Sequence, residues 1–396
     1  MKIVDRKVSL DLAQEWLQRL SKARDFTVGV EHEFFLFTKK SKLASLAQSQ
    51  AFLSALAQMP GWSVRGSGVE VGIERVSYQS VAGRYVAVKY EYAPHLMEVA
   101  FSYHESLLEL QKEVTWVCSA MSKAADSVGL KMCNFDSIEG LVPQTLINLP
   151  LTSSGQALQK TRERLFRQST VKVGEPGADV TKFPAFTAAT QVHIGGLGRE
   201  EIEDVVNTLY SYELEISCLV AFASYDFAYS MESLRRRWLR YYQVFSSLPL
   251  LGIPKVQNWT VQGWVDSLLS CPTLEGTQTT LDALISKAKD LQFIRPKAFG
   301  TIEFRASGAA KDGDGIVRVA EIRLALVKLA RAKKLPSKDL SGQRERWLRF
   351  VERGLDLRLM DFDFVDEMLS ILSSETADRL KVALEAMTAY EAKRVG

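Results

Sequence analysis

The stretch FTVGVEHEFFLF, residues 26–37, decides the fold of this chain because a long apolar run in it carries two acids, Glu31 and Glu33. Side chains alternate along a strand, so residues two positions apart lie on one face, with Cβ atoms roughly 7 Å apart. Burying two carboxylates is costly unless cations or hydrogen bonds compensate. Paired oxygen ligands on a stiff strand suit magnesium, and they indicate phosphoryl chemistry.

Composition and charge narrow the functional classes. The chain has 396 residues, of which 46% are apolar, enough for a large core. The formal net charge of +3 argues against a nucleic-acid or membrane surface, so we expect neither partner. The first residues lack the apolar core of a signal peptide, and no apolar run approaches 18 residues. The four cysteines, Cys118, Cys133, Cys218 and Cys271, have no CxxC spacing and indicate reduced core thiols in a cytoplasmic protein.

Hydrophobic periodicity predicts a mixture of helices and strands. The stretch 84–101 contains Pro94, which cannot donate to a central ladder, so it predicts two strands joined at a tight turn. One long helix is expected after residue 196, with Ile202, Val206, Leu209, Ile216 and Val220 on one side. Further strands are expected at 26–37, 69–77 and 187–196, and the stretch 294–308 is expected to be a loop that enters a strand. Further helices are expected at 8–22, 42–58, 104–127, 233–242, 314–332 and beyond 336.

The order of these segments predicts the fold class. They do not alternate as strict βαβ units, and the strands carry polar residues inside apolar frames. We therefore expect an α+β fold, with a curved antiparallel or mixed sheet, helices packed on its outer side and a helical C-terminal region over 336–396. No boundary divides the chain, so residues 1–396 are interpreted as a single catalytic domain. The Gly/Pro-containing loop 169–183 is a candidate lid.

Acids and a histidine recur in four of the predicted strands. Any one of them has an ordinary explanation, such as an exposed strand glutamate, a satisfied core histidine or a cross-strand ion pair. Five glutamates, one imidazole and one arginine on a single sheet face would instead require divalent cations to offset the buried charge. The residues are Glu31 and Glu33, Glu91 and Glu98, His193, and Glu303 with Arg305.

The order of several short motifs resembles a known family. GVEHEFFLF, YEYAPHLMEVA, TQVHIGG, IRP and GTIEFR follow one another as in the type 2 glutamate–cysteine ligases and related carboxylate–amine ligases. These belong to the glutamine synthetase-like superfamily. SLRRRW and GIPKVQNWTVQGW are similar to the middle region of that family. The resemblance covers roughly residues 26–330, and it implies a glutamine synthetase-like sheet.

The resemblance implies a role for individual residues. Glu31, His193 and Glu303 would hold the metal that bridges the nucleotide phosphates, and Glu33, Glu91 and Glu98 would hold a metal nearer the carboxylate substrate. Arg305, with Glu303, would serve catalysis against the transferring phosphoryl group. The nucleotide would be bound by one or more of Arg235, Arg236 and Arg237, and by Arg295. The implied cofactors are ATP and two or three Mg²⁺ ions, with Mn²⁺ as a substitute.

The implied activity is ATP-dependent ligation, in which an amino-acid carboxylate such as glutamate is activated as an acyl phosphate and joined to an amine such as cysteine. Three alternatives stay open: a non-catalytic binder of nucleotide or amino acid, a phosphagen-type kinase of the same fold, and a glycoside hydrolase with paired carboxylates. The implied partners are small-molecule substrates, and a homodimer is also left open.

Two departures from the family pattern concern the acceptor and the ligand set. Gln191 stands where one branch of the family carries a second histidine, so TQVH lies between two branches and leaves the amine acceptor open. The stretch ASGAAKDGDG after Arg305 lacks the aspartate expected there, and Asp312 and Asp314 are not assigned as ligands.

Overall fold

The computed structural model describes residues 6–20, 25–68, 72–80, 83–138, 152, 156, 159–160, 163, 180–224, 227–246, 251–270, 292–297 and 300–395. Most of the loop 169–183, predicted as a lid, therefore lies outside the described residues, and so does Cys271.

Within the described residues, nine strands form one sheet, and each strand pair in it is antiparallel. The order is β2-β3-β4-β5-β1-β7-β9-β8, and β6 pairs with the C-terminal half of β1. The strands are β1 Thr27–Thr38, β2 Trp62–Gly68, β3 Gly72–Gln79, β4 Tyr85–Tyr90, β5 Leu96–Ala100, β6 Leu130–Cys133, β7 Thr190–Gly195, β8 Ile294–Pro296 and β9 Ile302–Phe304.

Eleven α-helices surround the sheet in the described part of the chain. None of these helices combines the length and the apolar composition that crossing a bilayer requires. They are α1 Arg6–Arg19, α2 Leu46–Ala57, α3 Leu107–Ser127, α4 Ile202–Ser211, α5 Glu213–Ser224, α6 Phe227–Phe245, α7 Val261–Ser270, α8 Gly313–Arg331, α9 Leu340–Arg353, α10 Val365–Leu369 and α11 Ser374–Val395. Short 3₁₀ helices span Val180–Ala185 and Leu357–Leu359.

Strand β1 has one apolar face, and its opposite face carries Glu31 and Glu33 and then Phe35 and Phe37, which belong to a second, smaller apolar cluster. Val28, Val30 and Phe34 alternate with Glu31 and Glu33, as the two-residue period of a strand requires. The apolar side chains belong to the main hydrophobic core, which also contains residues from α2, α3 and α8. Helix α8 contacts β1 and β7, and α3 contacts β6. The α+β architecture with helices on the outer side of the sheet is thus confirmed.

The hairpin between β4 and β5 follows the prediction made from Pro94. β4 ends at Tyr90, and the backbone N–H of Glu91 donates to Leu96 O across the turn at 3.0 Å. In the paired register Lys89 lies directly opposite Glu98. The turn therefore brings an acid at its start and an acid in its second strand to the same region of the sheet.

Three strands, β2, β6 and β8, were not predicted, and the prediction of one long helix after residue 196 was wrong. β2, at the end of the sheet order, was not anticipated, because its sequence WSVRGSG has two glycines and no clear apolar alternation. The single long helix after residue 196 is divided into α4 and α5 at Tyr212, whose φ of −121° and ψ of 6° leave helical geometry. The Tyr212 hydroxyl donates to Pro336 O at 3.1 Å, and its ring packs on Phe364, so contacts with the C-terminal region fix the break.

The core face of β1 predicts a stability effect. Phe34 is fully buried and packs edge-on against Phe52 of α2. We expect Phe34→Ala to lower the free energy of unfolding by about 3–5 kcal/mol because it leaves a cavity between sheet and helix. Urea unfolding followed by circular dichroism measures this change. Leu108→Ala on α3 removes a 59% exposed side chain and should change stability by less than about 0.5 kcal/mol. Equal effects of the two variants would contradict the assignment of faces.

Candidate functional site

The charged face of the sheet gathers the six metal ligands named from the sequence into two groups. The first cluster is Glu31, His193 and Glu303, and the second cluster is Glu33, Glu91 and Glu98. In each cluster, one ligand atom from each residue lies within 4.8 Å of the others. The register explains the grouping, since His193 lies opposite Glu303 and Glu33 opposite Glu98. Four strands and the turn after β4 supply these residues.

The donor set of the first cluster fits a divalent cation. His193 Nε2 lies 3.3 Å from Glu31 Oε1 and 3.9 Å from Glu303 Oε1. Both ring nitrogens of His193 are buried, and neither makes a hydrogen bond of good geometry to the described residues. A buried imidazole between two carboxylates offers one nitrogen and two oxygens at a common point, which is a set that Mg²⁺ and Mn²⁺ accept.

Basic side chains hold Glu303 in its ionised form. Arg295 Nε and Lys297 Nζ lie 2.8 and 3.4 Å from Glu303 Oε2, and Arg305 Nη1 lies 2.5 Å from Oε1. Burial opposes ionisation of this fully buried carboxyl, but the charges of Arg305, Arg295, His193 and Lys297 prevail and lower its pKa to about 2. Glu31 behaves similarly: its burial is outweighed by His193, Lys297 and Arg305, and its pKa lies well below the usual value.

The second cluster already contains a cation from the chain. Lys89 Nζ lies 2.9 Å from Glu91 Oε1 and 2.9 Å from Glu98 Oε1. The third acid, Glu33, accepts a hydrogen bond from Gln191 Nε2 at 3.1 Å. Burial lowers the pKa of Lys89, but the charges of Glu98 and Glu91 raise it by more than burial lowers it. The net shift of the pKa is upward, so the amine stays protonated.

Repulsion between acids shows in the second cluster. Burial and the nearby Glu91 raise the pKa of Glu33 to about 7, although Arg237 and Arg305 act in the opposite direction. Burial, Glu91 and Glu31 raise the pKa of Glu98 well above its usual value, against the charge of Lys89. Without a bound cation, these two carboxyls are therefore held more easily in their protonated form.

The second cluster and Glu31 of the first cluster line one polar pocket of about 200 Å³. Four glutamates and five basic side chains border it, and three of those basic side chains are paired with the fully buried Glu303. This balance corrects the sequence-based argument that five glutamates on one face require divalent cations, because that argument counted only one arginine. The basic residues at the pocket are Lys89, Arg237, Arg295, Lys297 and Arg305.

The three consecutive arginines of α6 point in different directions. Arg237 is buried at the pocket, donating to Asp136 Oδ1 at 3.2 Å and to Ala188 O at 2.5 Å. Arg235 and Arg236 instead contact Glu232 one turn earlier on the helix, and Arg235 also donates to Val351 O. Neither of these two lines the pocket, so Arg237 is the one of the three whose position suits the predicted contact with ATP. Arg295, also predicted to bind nucleotide, does line it.

Several residues at the site were missed by the sequence analysis. Lys89 and Lys297 each stand two positions from a predicted site residue, Glu91 and Arg295, so strand alternation could have found them. Tyr103 could not be found in this way. Its ring lies edge-on to His193, with 6.3 Å between centroids, and over Gly29, where a Cβ atom would come within 2.7 Å of it. Only glycine at position 29 leaves room for that ring.

No protein-family model and no curated protein matches the chain. Among solved structures, it is similar to a glutamate–cysteine ligase from Francisella tularensis in complex with AMP, at 10% identity over 93% of this chain and 83% of that one, with a TM-score of 0.44. It is also similar to an ADP complex of GmaS, at 14% identity over 98% and 74% of the two chains, with a TM-score of 0.45. A structure described as a novel glutamine synthase homolog has 13% identity over 99% and 71%, with a TM-score of 0.40.

These structures bear names from the class that the sequence motifs resemble. Similarities of this strength say nothing about what this chain binds or catalyses.

Glu303 and its three basic neighbours predict one stability effect. We expect Glu303→Gln, in buffer with a metal chelator, to lower the free energy of unfolding by about 3 kcal/mol, because it leaves buried positive charges without their carboxylate. Urea unfolding measures the change. Glu385→Gln, an exposed position on α11, is the control and should have little effect. A Glu303→Gln protein as stable as wild type would show that these ion pairs do not hold the strands together.

Glu33 predicts an effect of the opposite sign. A carboxyl with a raised pKa binds its proton more tightly in the folded state, so ionising it costs stability as pH rises from about 4.5 to about 7. In metal-free buffer at pH 8, we expect Glu33→Gln to be more stable than wild type by up to about 3 kcal/mol, and the gain should vanish near pH 4. Unfolding curves at both pH values measure it. A gain that is independent of pH would contradict the buried-charge explanation.

Proposed function

We propose that the protein is an ATP-dependent carboxylate–amine ligase, in which Mg²⁺ is held by Glu31, His193 and Glu303. The observation that carries this proposal is the pocket itself, where two clusters of carboxylates meet five basic side chains on one rigid sheet face. Oxygen ligands beside arginines and lysines form the combination that binds a polyphosphate together with its divalent cation. The sequence motifs supply the reaction class.

The reaction requires activation because a free carboxylate is too stabilised for attack by an amine. Transfer of the γ-phosphoryl group from ATP to a carboxylate oxygen gives an acyl phosphate and ADP. The amine then attacks the acyl carbon, and inorganic phosphate leaves with the former carboxylate oxygen. Mg²⁺ bound at the first cluster would supply positive charge to the phosphate oxygens.

The basic side chains are positioned to stabilise the transferring group. Arg305 is oriented by two acceptors, Gln191 Oε1 and Glu303 Oε1, each at 2.5 Å. A planar guanidinium fixed in this way can present parallel N–H groups to phosphoryl oxygens, which a lysine cannot do. Arg295 and Lys297 share Glu303 with it, and Arg237, anchored on Asp136, borders the same pocket. Fixed donors of this kind cost little reorganisation during the reaction.

Glutamate is the first carboxylate to test and cysteine the first amine, because they are the reference pair of the family that the motifs resemble. The second cluster lies beside the first through Glu31 and Glu33, two positions apart on β1. We place the carboxylate substrate at that cluster, which already contains the ammonium group of Lys89. Gln191 links Glu33 to Arg305 and so connects the two halves of the pocket.

A product screen tests this assignment. The protein is incubated with ATP, Mg²⁺, one amino acid as donor and one amine as acceptor, and ADP formation and product mass are measured. A ligase forms ADP and an amide with loss of water between the two substrates. ADP with a stable phosphorylated product and no need for the amine would instead indicate a kinase. Nucleotide binding without ADP in any combination would indicate a binding protein, and turnover without ATP a hydrolase.

The first cluster predicts the effect of removing one ligand. We expect Glu31→Gln to lower the rate of ADP formation more than about a hundredfold, since loss of an outer-shell partner alone costs about 10–100-fold. The variant should fold, because Glu31 is partly exposed and Gln retains its shape. Glu385→Gln should turn over like wild type. If Glu31→Gln keeps more than half of the activity, the ligand assignment is wrong.

A further inference from the structure

The hairpin of β4 and β5 places a lysine side chain at the second cluster. Lys89 on β4 lies directly opposite Glu98 on β5, and Glu91 follows two positions later on the same side. The ammonium group reaches both carboxylates at 2.9 Å, in the range of a charge-assisted hydrogen bond. The strand register and the turn fix the backbone positions of all three residues, so the side chain of Lys89 is within reach of both carboxylates.

Resting on the proposed function, we propose that the ammonium group of Lys89 is the resident cation of the Glu33/Glu91/Glu98 cluster and takes the place of a second divalent ion there. The protein would then bind one divalent ion tightly, at Glu31, His193 and Glu303. The carboxylate substrate would meet a fixed ammonium group instead of a second metal ion.

The two clusters differ in the kind of nitrogen that they contain. The imidazole of His193 has a lone pair and can itself bind a metal ion, so all three side chains of the first cluster can act as ligands. An ammonium group has three donors and no lone pair, so it cannot be a ligand. A divalent ion beside Lys89 would be repelled by it, and the ion would have to displace Lys89 from Glu91 and Glu98.

Hydrogen bonding within the second cluster supports the same assignment. Glu91 and Glu98 receive their donor from Lys89, and Glu33 receives one from Gln191. Each of the three carboxylates thus has a donor from the chain. In the first cluster, by contrast, the buried nitrogens of His193 make no hydrogen bond of good geometry to the described residues. The structure is therefore prepared for an added cation at one cluster and already supplied with one at the other.

Counting bound Mn²⁺ tests the proposal. Free Mn²⁺ is measured by electron paramagnetic resonance during titration of the intact protein, with and without a non-hydrolysable ATP analogue. We expect one tightly bound ion per chain in wild type, lost in His193→Ala. Lys89→Met should bind two ions, with the second at least tenfold tighter than any second ion in wild type. Adding Glu98→Gln to Lys89→Met should return the count to one.

Two control variants isolate the charge of Lys89. Lys89→Arg keeps a cation at the cluster and should still bind one ion. Lys131→Met removes an exposed lysine from β6 and should also leave the count at one. Thermal unfolding of each variant checks that the fold is retained.

Two results would overturn the proposal. Two ions of similar affinity in wild type would show that Lys89 yields to a metal ion, and this measurement does not depend on whether Lys89→Met folds. A count of one in folded Lys89→Met would show that the cluster does not hold divalent ions at all. Failure of the ligase assignment would appear separately, as absence of ADP in the product screen, and would leave the ion counts as they are.

Discussion

Alternation along β1 is the constraint on which both the core and the site depend. One side chain in two is needed to bury the sheet against α2, α3 and α8, and the intervening ones are then held on the opposite face. A shift of the register by one residue would put Glu31 and Glu33 into the apolar core. Burying carboxylates there without partners would strongly destabilise the folded state. The apolar packing of Phe34 and its neighbours therefore fixes the positions of the two acids on this rigid central strand.

Much of the fold could be predicted from the sequence because the elements that form it have strong local patterns. The hairpin at Pro94, the helix at Leu107–Ser127 and the α+β class, with an antiparallel or mixed sheet, all follow from periodicity and turn chemistry. The failures have non-local causes. β2 is held by pairing with β3 in spite of its glycines, and the break between α4 and α5 depends on contacts of Tyr212 with residues more than a hundred positions away. Local sequence carries no signal for such contacts.

The sequence predicted the acidic residues of the site but not the basic residues that balance their charge. The motif order indicated which glutamates converge, and the structure groups them in the same two sets of three. Their partners were harder to foresee. Arg237 comes from a helix whose three arginines cannot be told apart by sequence, and its direction depends on Asp136, 101 positions earlier. Tyr103 reaches His193 only because residue 29 is a glycine, a relation that appears only in three dimensions.

The near balance of charge in the pocket has a consequence for binding. A divalent ion alone would add positive charge beside Arg295, Lys297 and Arg305, and a polyphosphate alone would add negative charge beside five glutamates. If the ion and the polyphosphate enter together, their charges largely neutralise each other. The ion then faces the carboxylates, and the phosphates face the guanidinium groups. Under the proposed function, a pocket of this kind would favour the nucleotide as its metal complex over either component. At the first cluster the basic side chains hold Glu31 and Glu303 ionised and in place before any ligand arrives, so this part of the site does not depend on a ligand in order to form.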